Sequence, residues 1–232
     1  MRYPHALALG ALLLLNACAA SVDPAMQRRV ADWFGKSSSA TYDATSAFMK
    51  PMPFAVGQYV VHGNSNGEDR SVMRTALVGR DGAAWIMETS SLTPSGENIM
   101  QMAVTGMEKV QETMNPDDLD IKWIKMRGDD GKVQTIAGPT LSIVKGSYSK
   151  ALTGIVIKYD AQLGTGSVRV PAGTFNGCTK ANSKVETFFG DYESEAFAHP
   201  SVPLNGVVRS VSKDNGAVTE LLEFGTNAKP SF

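Results

Sequence analysis

The sequence predicts an α+β fold, an antiparallel sheet of hairpin-connected strands with helices packed on it, and three observations lead there. Four Asn-Gly or Asp-Gly pairs, Asn66-Gly67, Asp81-Gly82, Asp130-Gly131 and Asn215-Gly216, suit tight hairpin turns. Nine short runs of mixed apolar and polar residues lie between these and other glycine turns, the pattern of half-buried antiparallel strands. Two further segments carry apolar residues at helical spacing instead.

The first 17 residues stand outside that fold. One cation, Arg2, precedes the apolar stretch Ala6 to Leu15, which ends in Leu15-Asn16-Ala17-Cys18. This is the order of a secretory signal peptide. A leucine three places before a cysteine, with a small residue between, resembles the bacterial lipobox, which implies cleavage before Cys18 and acylation of its thiol. The apolar run is well short of the roughly 20 residues a spanning helix needs. Ala19, where aspartate would hold a lipoprotein at the inner membrane, implies by resemblance to bacterial sorting rules an outer-membrane protein facing the periplasm. The expected organisation is a signal peptide at 1–17, a lipid anchor and short tether at 18–23, and one domain over 24–232.

Removing the signal peptide leaves 215 of the 232 residues, enough for one domain with a sizeable core. The remaining charge, 21 basic against 23 acidic residues, gives no reason to expect nucleic acid or an anionic membrane surface as partner. Membrane contact is expected through the lipid. With Cys18 acylated, Cys178 has no cysteine to pair with and reads as a packed strand residue.

Asp23 is placed to cap a helix that has Pro24 at its first position, with Met26, Val30, Trp33 and Phe34 along one face and Gly35 at its end. The tether of about five residues reaches at most about 17 Å, so the domain would sit close to the membrane. Beyond Pro51 and Pro53 the expected strands are 58–62, 71–78, 83–89, 121–127, 132–136, 167–170, 176–188, 206–212 and 217–224. The segment from Thr140 to Tyr159 fits a helix, a strand or both, and is left open.

Between Pro94 and Met114 the spacing predicts the longest helix, capped by Thr93 and ended by Pro116. Ile99, Met100, Met102, Ala103, Val104, Met107, Val110 and Met114 cover an arc of roughly 200° at about 100° per residue. A helix packed by one side needs about half of that. Such a helix would be wedged between two apolar surfaces, lie over a cavity lined by adaptable methionines, or simply fill a core.

Few residues offer chemistry. His62 ends a strand and His199 lies in a loop beside Pro200, neither in a metal-ligand spacing. Ser201 is a sequence neighbour of His199 without the glycines of a nucleophile elbow. The acidic groups Asp117-Asp118-Asp120 and Asp129-Asp130 lack the alternation of a calcium loop. Gly164-Thr165-Gly166 is not followed by the Lys-Ser/Thr of a phosphate loop. No catalytic residue, metal or cofactor is expected.

Two strings carry a family resemblance: Val170-Pro171-Ala172-Gly173-Thr174-Phe175, and Val202-Pro203-Leu204-Asn205-Gly206-Val207-Val208, the latter leading to a hairpin that ends Glu220-Leu221-Leu222-Glu223-Phe224. They resemble the C-terminal half of the LolA/LolB-like superfamily of envelope lipoprotein carriers. That resemblance implies a strongly curved antiparallel sheet, an unclosed half-barrel, with helices covering its concave face. It also implies non-catalytic binding of a lipid or other apolar ligand. The first half of the chain carries no matching string. On this reading the ligand-binding residues are Trp85, Met100, Val104, Met107 and Trp123. The alternative is an accessory subunit of an envelope assembly, with a filled core and a protein partner.

Overall fold

The computed structural model describes residues 22–48, 50–113, 115–128, 131–143, 163–187 and 190–232, with the side chains at 116 and 183–192 left aside. The lipobox, Cys18 and most of Thr140–Tyr159 lie outside the described residues; of that last segment, residues up to 143 are described and are helical.

Asp23 caps helix α1 (Pro24–Gly35) as its sequence predicts, its carboxylate accepting the Ala25 N–H at 2.7 Å. Gly35 is the last helical residue, and Lys36 ends the helix by turning to extended backbone. Val30, with Met26, Trp33 and Phe34, packs on Val61, Val72, Leu92 and Leu222. Phe34 fits because Gly63 opposite it has no side chain: a Cβ there would stand 2.8 Å from the ring.

The strands are β1 (Thr41–Asp43), β2 (Tyr59–Asn66), β3 (Asp69–Asp81), β4 (Ala84–Thr93), β5 (Gly96–Thr105), β6 (Asp120–Arg127), β7 (Val133–Ile136), β8 (Thr165–Val170), β9 (Gly173–Thr187), β10 (Gly190–Ala198), β11 (Val207–Ser212) and β12 (Val218–Gly225). They form one open sheet in the order β1-β9-β10-β11-β12-β2-β3-β4-β5-β6-β7, with β8 on the other edge of β9. All pairs are antiparallel except β1 with β9. The sheet is thus two meanders, β2 to β7 and β9 to β12, sewn together where β12 pairs with β2. At the β2–β3 and β3–β4 hairpins, Gly67 and Gly82 hold the first turn position with positive φ of 62° and 57°.

The long helix expected between Pro94 and Met114 is absent. Thr93 pairs with Gly96 across a two-residue turn, and Gly96–Thr105 is strand β5; only Met107–Thr113 is helical, as α2. Thr93-Pro94-Ser95-Gly96 is a β-turn signature, proline second and glycine fourth. Strand β5 reads as a broad apolar arc because both its faces are covered, so Ile99 and Ala103 are buried on one side and Met102 and Val104 on the other. A doubly covered strand loses the alternation that would identify it. Strands β1 and β10 were likewise not anticipated.

The main core lies on one face of the sheet. Val60, Leu77, Met87, Met102, Val104, Ile124, Phe175, Val208 and Leu221 contribute from strands, and Met107 and Val110 of α2, Leu141, and Val202 and Leu204 of the β10–β11 loop close over them. Helix α1 lies on the opposite face. The chain after β12 crosses part of that opposite face, over β4, β5 and β6. Ala228 N–H donates to the Gly57 carbonyl, and Ser231 donates to Glu88 from both its backbone N–H and its hydroxyl, each at 2.8 Å. The Phe232 carbonyl accepts from Gln101 at 3.0 Å, and Arg127 lies 5.7 Å from the Phe232 ring.

Candidate functional site

Four of the five residues expected to bind a ligand come together on the main-core face. Trp85, Val104 and Met107 are 4%, 0% and 2% exposed, and Met100 is half-buried against the same cluster. Their side chains belong to one buried cluster. The Trp85 indole donates to Glu108 at 2.7 Å, meets Phe54 edge-on at 5.9 Å between centroids, and is covered by the Arg80 guanidinium at 3.3 Å. Burial would raise the Glu108 carboxyl, but its own backbone N–H at the start of α2, the Trp85 indole and Arg80 outweigh that and hold it below its ordinary value.

Trp123 departs from the expectation. It pairs with Ala103 and points to the opposite face, where its indole donates to Asp81 at 2.7 Å and Lys125 lies 4.7 Å above the ring. Its neighbour Ile124 is the core residue. A strand puts successive side chains on opposite faces, so only one of the two can enter the core.

A cleft of about 430 Å³ opens beside the Val170–Phe175 corner, between the end of α1 and β12. Tyr42, Ala172, Leu222 and Phe224 give it an apolar wall, and Lys36 and Glu223, paired at 3.0 Å, stand among the residues lining it. Tyr42 stacks on buried Phe175 at 4.7 Å and meets Phe224 at 5.2 Å, so the aromatic wall continues into the core. Sequence reading placed Phe175 inward but missed Tyr42, which lies on a three-residue strand too short to show a period.

Most of the buried polar side chains among the described residues have partners, the Gln58 Oε1 being an exception. Glu88 is fully buried in the middle of β4; Arg74 and the Ser231 hydroxyl reach one oxygen, and Gln101 and the Ser231 N–H reach the other, all within 2.9 Å. Burial would raise this carboxyl, and those donors outweigh it and hold it low. Nothing in the sequence marked Glu88. His62 bonds to the Val207 carbonyl at 3.1 Å, while His199 bonds to the Asn176 carbonyl at 3.2 Å and accepts from the Ser201 N–H at 3.2 Å. These hydrogen bonds of both rings are to backbone groups, and Ser201 offers His199 its N–H. Cys178 is a buried free thiol whose pKa burial pushes up to about 12. Among the described residues no group of three or more His, Cys, Asp or Glu could hold a metal ion, and no helix is long and apolar enough to cross a membrane.

No protein-family model and no curated protein matches the chain. Among solved structures, the crystal structure of MucB aligns with 88% of this chain at a TM-score of 0.35 and 11% identity. The match takes in 61% of the MucB chain, so this chain spans less than two thirds of that protein's length. The likeness is too slight to carry an activity or a ligand across.

Proposed function

We propose that the mature chain is a non-catalytic protein of the cell envelope, anchored to the outer membrane by acylation of Cys18 and acting through its surface as an accessory subunit for another envelope protein. The observation that carries this reading is the packing of Trp85, Val104 and Met107. All three are buried among core neighbours, so an apolar ligand seated against them would have to displace those neighbours. A filled sheet serves as a rigid scaffold, and function then rests on what its surfaces present.

A second reading, binding of a lipid or other apolar ligand, is favoured by the cleft at Tyr42, Ala172 and Phe224, whose volume lies within the roughly 300–1,000 Å³ typical of ligand sites. Each buried methylene would contribute about 0.8 kcal/mol. Native mass spectrometry of the chain lacking the acylated cysteine, purified from a bacterial periplasm, with organic extraction, separates the two. A protein that is ligand-free, and stays so when offered lipid, supports the accessory reading. A stoichiometric acyl ligand refutes it, and its loss on Ala172→Trp or on Met107→Glu places the ligand in the cleft or in the core. The anchor is tested separately by palmitate labelling of the full chain, which Cys18→Ser must abolish.

A further inference from the structure

The two histidines among the described residues lie far apart in sequence, yet both grip one stretch of backbone, His199 to Val207. His199 opens the stretch: its Nδ1 accepts the Ser201 N–H at 3.2 Å, which places the ring proton on Nε2, donated to the Asn176 carbonyl of β9. His62, reaching from β2, bonds to the Val207 carbonyl that closes it. The base of the loop is fastened by His199 N–H to the Gly206 carbonyl at 2.9 Å.

What the loop holds is a piece of the core. Val202 and Leu204 are inserted among the core side chains, and Leu204 does so with φ at 64°, a left-handed conformation that residues with a side chain rarely adopt. Gly206, at φ 75°, sits so close to buried Phe48 that a Cβ would stand 2.2 Å from its ring. The segment is therefore strained and tightly seated, and it is stapled at both ends by the two imidazoles.

We infer that the loop His199–Val207 is a plug over the apolar core that seats when His199 is neutral and is released when His199 gains a proton. The chemistry is local. A proton on Nδ1 turns the acceptor of the Ser201 N–H into a second donor, so the first turn of the plug loses its bond, while a charge is placed on a fully buried ring packed edge-on against Phe175 at 5.3 Å. Asp43 on β1 is the charged group that acts on His199 and favours its protonated form; Phe175 and the Asn176 carbonyl are its neighbours from β9. His62 has Met73 and Leu221 as cross-strand neighbours and keeps its bond to Val207 when protonated, so it contributes through the cost of burying the charge. Burial lowers both histidines, against the raising effect of their carbonyl partners and of Asp43. The sign follows: stability is complete above the ordinary value of about 6.5 and falls as pH drops from there toward the folded values, the open form gaining up to about tenfold per pH unit for each histidine.

Amide hydrogen exchange of the full chain, corrected for the intrinsic pH dependence, tests this. Exchange at residues 199–207 should rise about tenfold or more between pH 7 and pH 5, and His199→Asn, whose side-chain oxygen can replace Nδ1 without titrating, should flatten the rise. A rise of the same size in His199→Asn, or none in the parent, overturns the proposal. Should that variant fail to fold, an NMR titration of the parent decides: the His199 imidazole and the Ser201 amide must share one midpoint, below 6.5. Separate midpoints overturn it.

Discussion

The tie between Glu88 and the chain after β12 is open to a near-isosteric test, Glu88→Gln. The carboxylate accepts four hydrogen bonds, two on each oxygen. A glutamine must place an NH2 where one oxygen stood. On one side that NH2 faces Arg74 and on the other the Ser231 N–H, and neither can accept. One strong bond is lost whichever way the amide turns, and a bond to a charged group is worth about 1.5–3 kcal/mol. The Arg74 side chain is 25% exposed, so water recovers part of its share. The expected loss is about 2 kcal/mol in urea unfolding, with a faster-exchanging Ser231 amide. The carboxyl is held below its ordinary value, so its contribution is present above the ordinary carboxylate range and is lost as pH falls through the lowered one. The variant should therefore lack that part of the parent's acid sensitivity. A change under about 0.5 kcal/mol, the usual range of neutral surface substitutions, with an unchanged Ser231 amide would refute the assignment of Glu88 as the anchor of this segment.

Two further outcomes follow from the packing. Cys178 should resist a thiol-specific disulfide reagent at pH 8 in the native protein and react at once in urea, because its thiol is buried and pushed up to about 12; fast native labelling would contradict that environment. Asp23→Ala removes the cap of α1 and should lower stability by about 1 kcal/mol, read from denaturant midpoints, and no shift would mean that helix docking alone orders the first turn.

The parts of this fold that were legible in the sequence are those where one signal acts alone. Asp23-Pro24 marks a helix start, and glycine-bearing turns mark the hairpins, because backbone sterics decide both. The misreading of Pro94–Met114 has the opposite cause. The chain after β12 covers one face of β5 and the main core the other, so the strand carries apolar residues on both sides and copies a helical arc. Glu88 was invisible for a related reason. In Trp85-Ile86-Met87-Glu88 the alternation correctly sends Trp85 and Met87 inward and Glu88 outward, but no local pattern records that Ser231, 143 positions away, returns to cover it. Of the candidate site, Met100, Val104 and Met107 do share the core face, but alternation along β5 and the short helix α2 put them there and not the long helical arc that grouped them, while the side taken by Trp123 depended on a register that only strand pairing reveals.

The seam between the two meanders has a kinetic consequence. Hairpins such as β2–β3 close over a two-residue turn, whereas Tyr59 and Glu223, which meet across the seam, are 164 positions apart. Loop closure grows costlier with length, and long-range pairing slows folding. The N-terminal meander is therefore expected to form early and to wait, with the β2 edge bare and Val60 and Val61 uncovered, until β12 arrives. An exposed apolar edge is a template for other chains. Substitutions that weaken the seam, even where they cost the finished fold little, would lengthen that wait and divert newly made protein into aggregates.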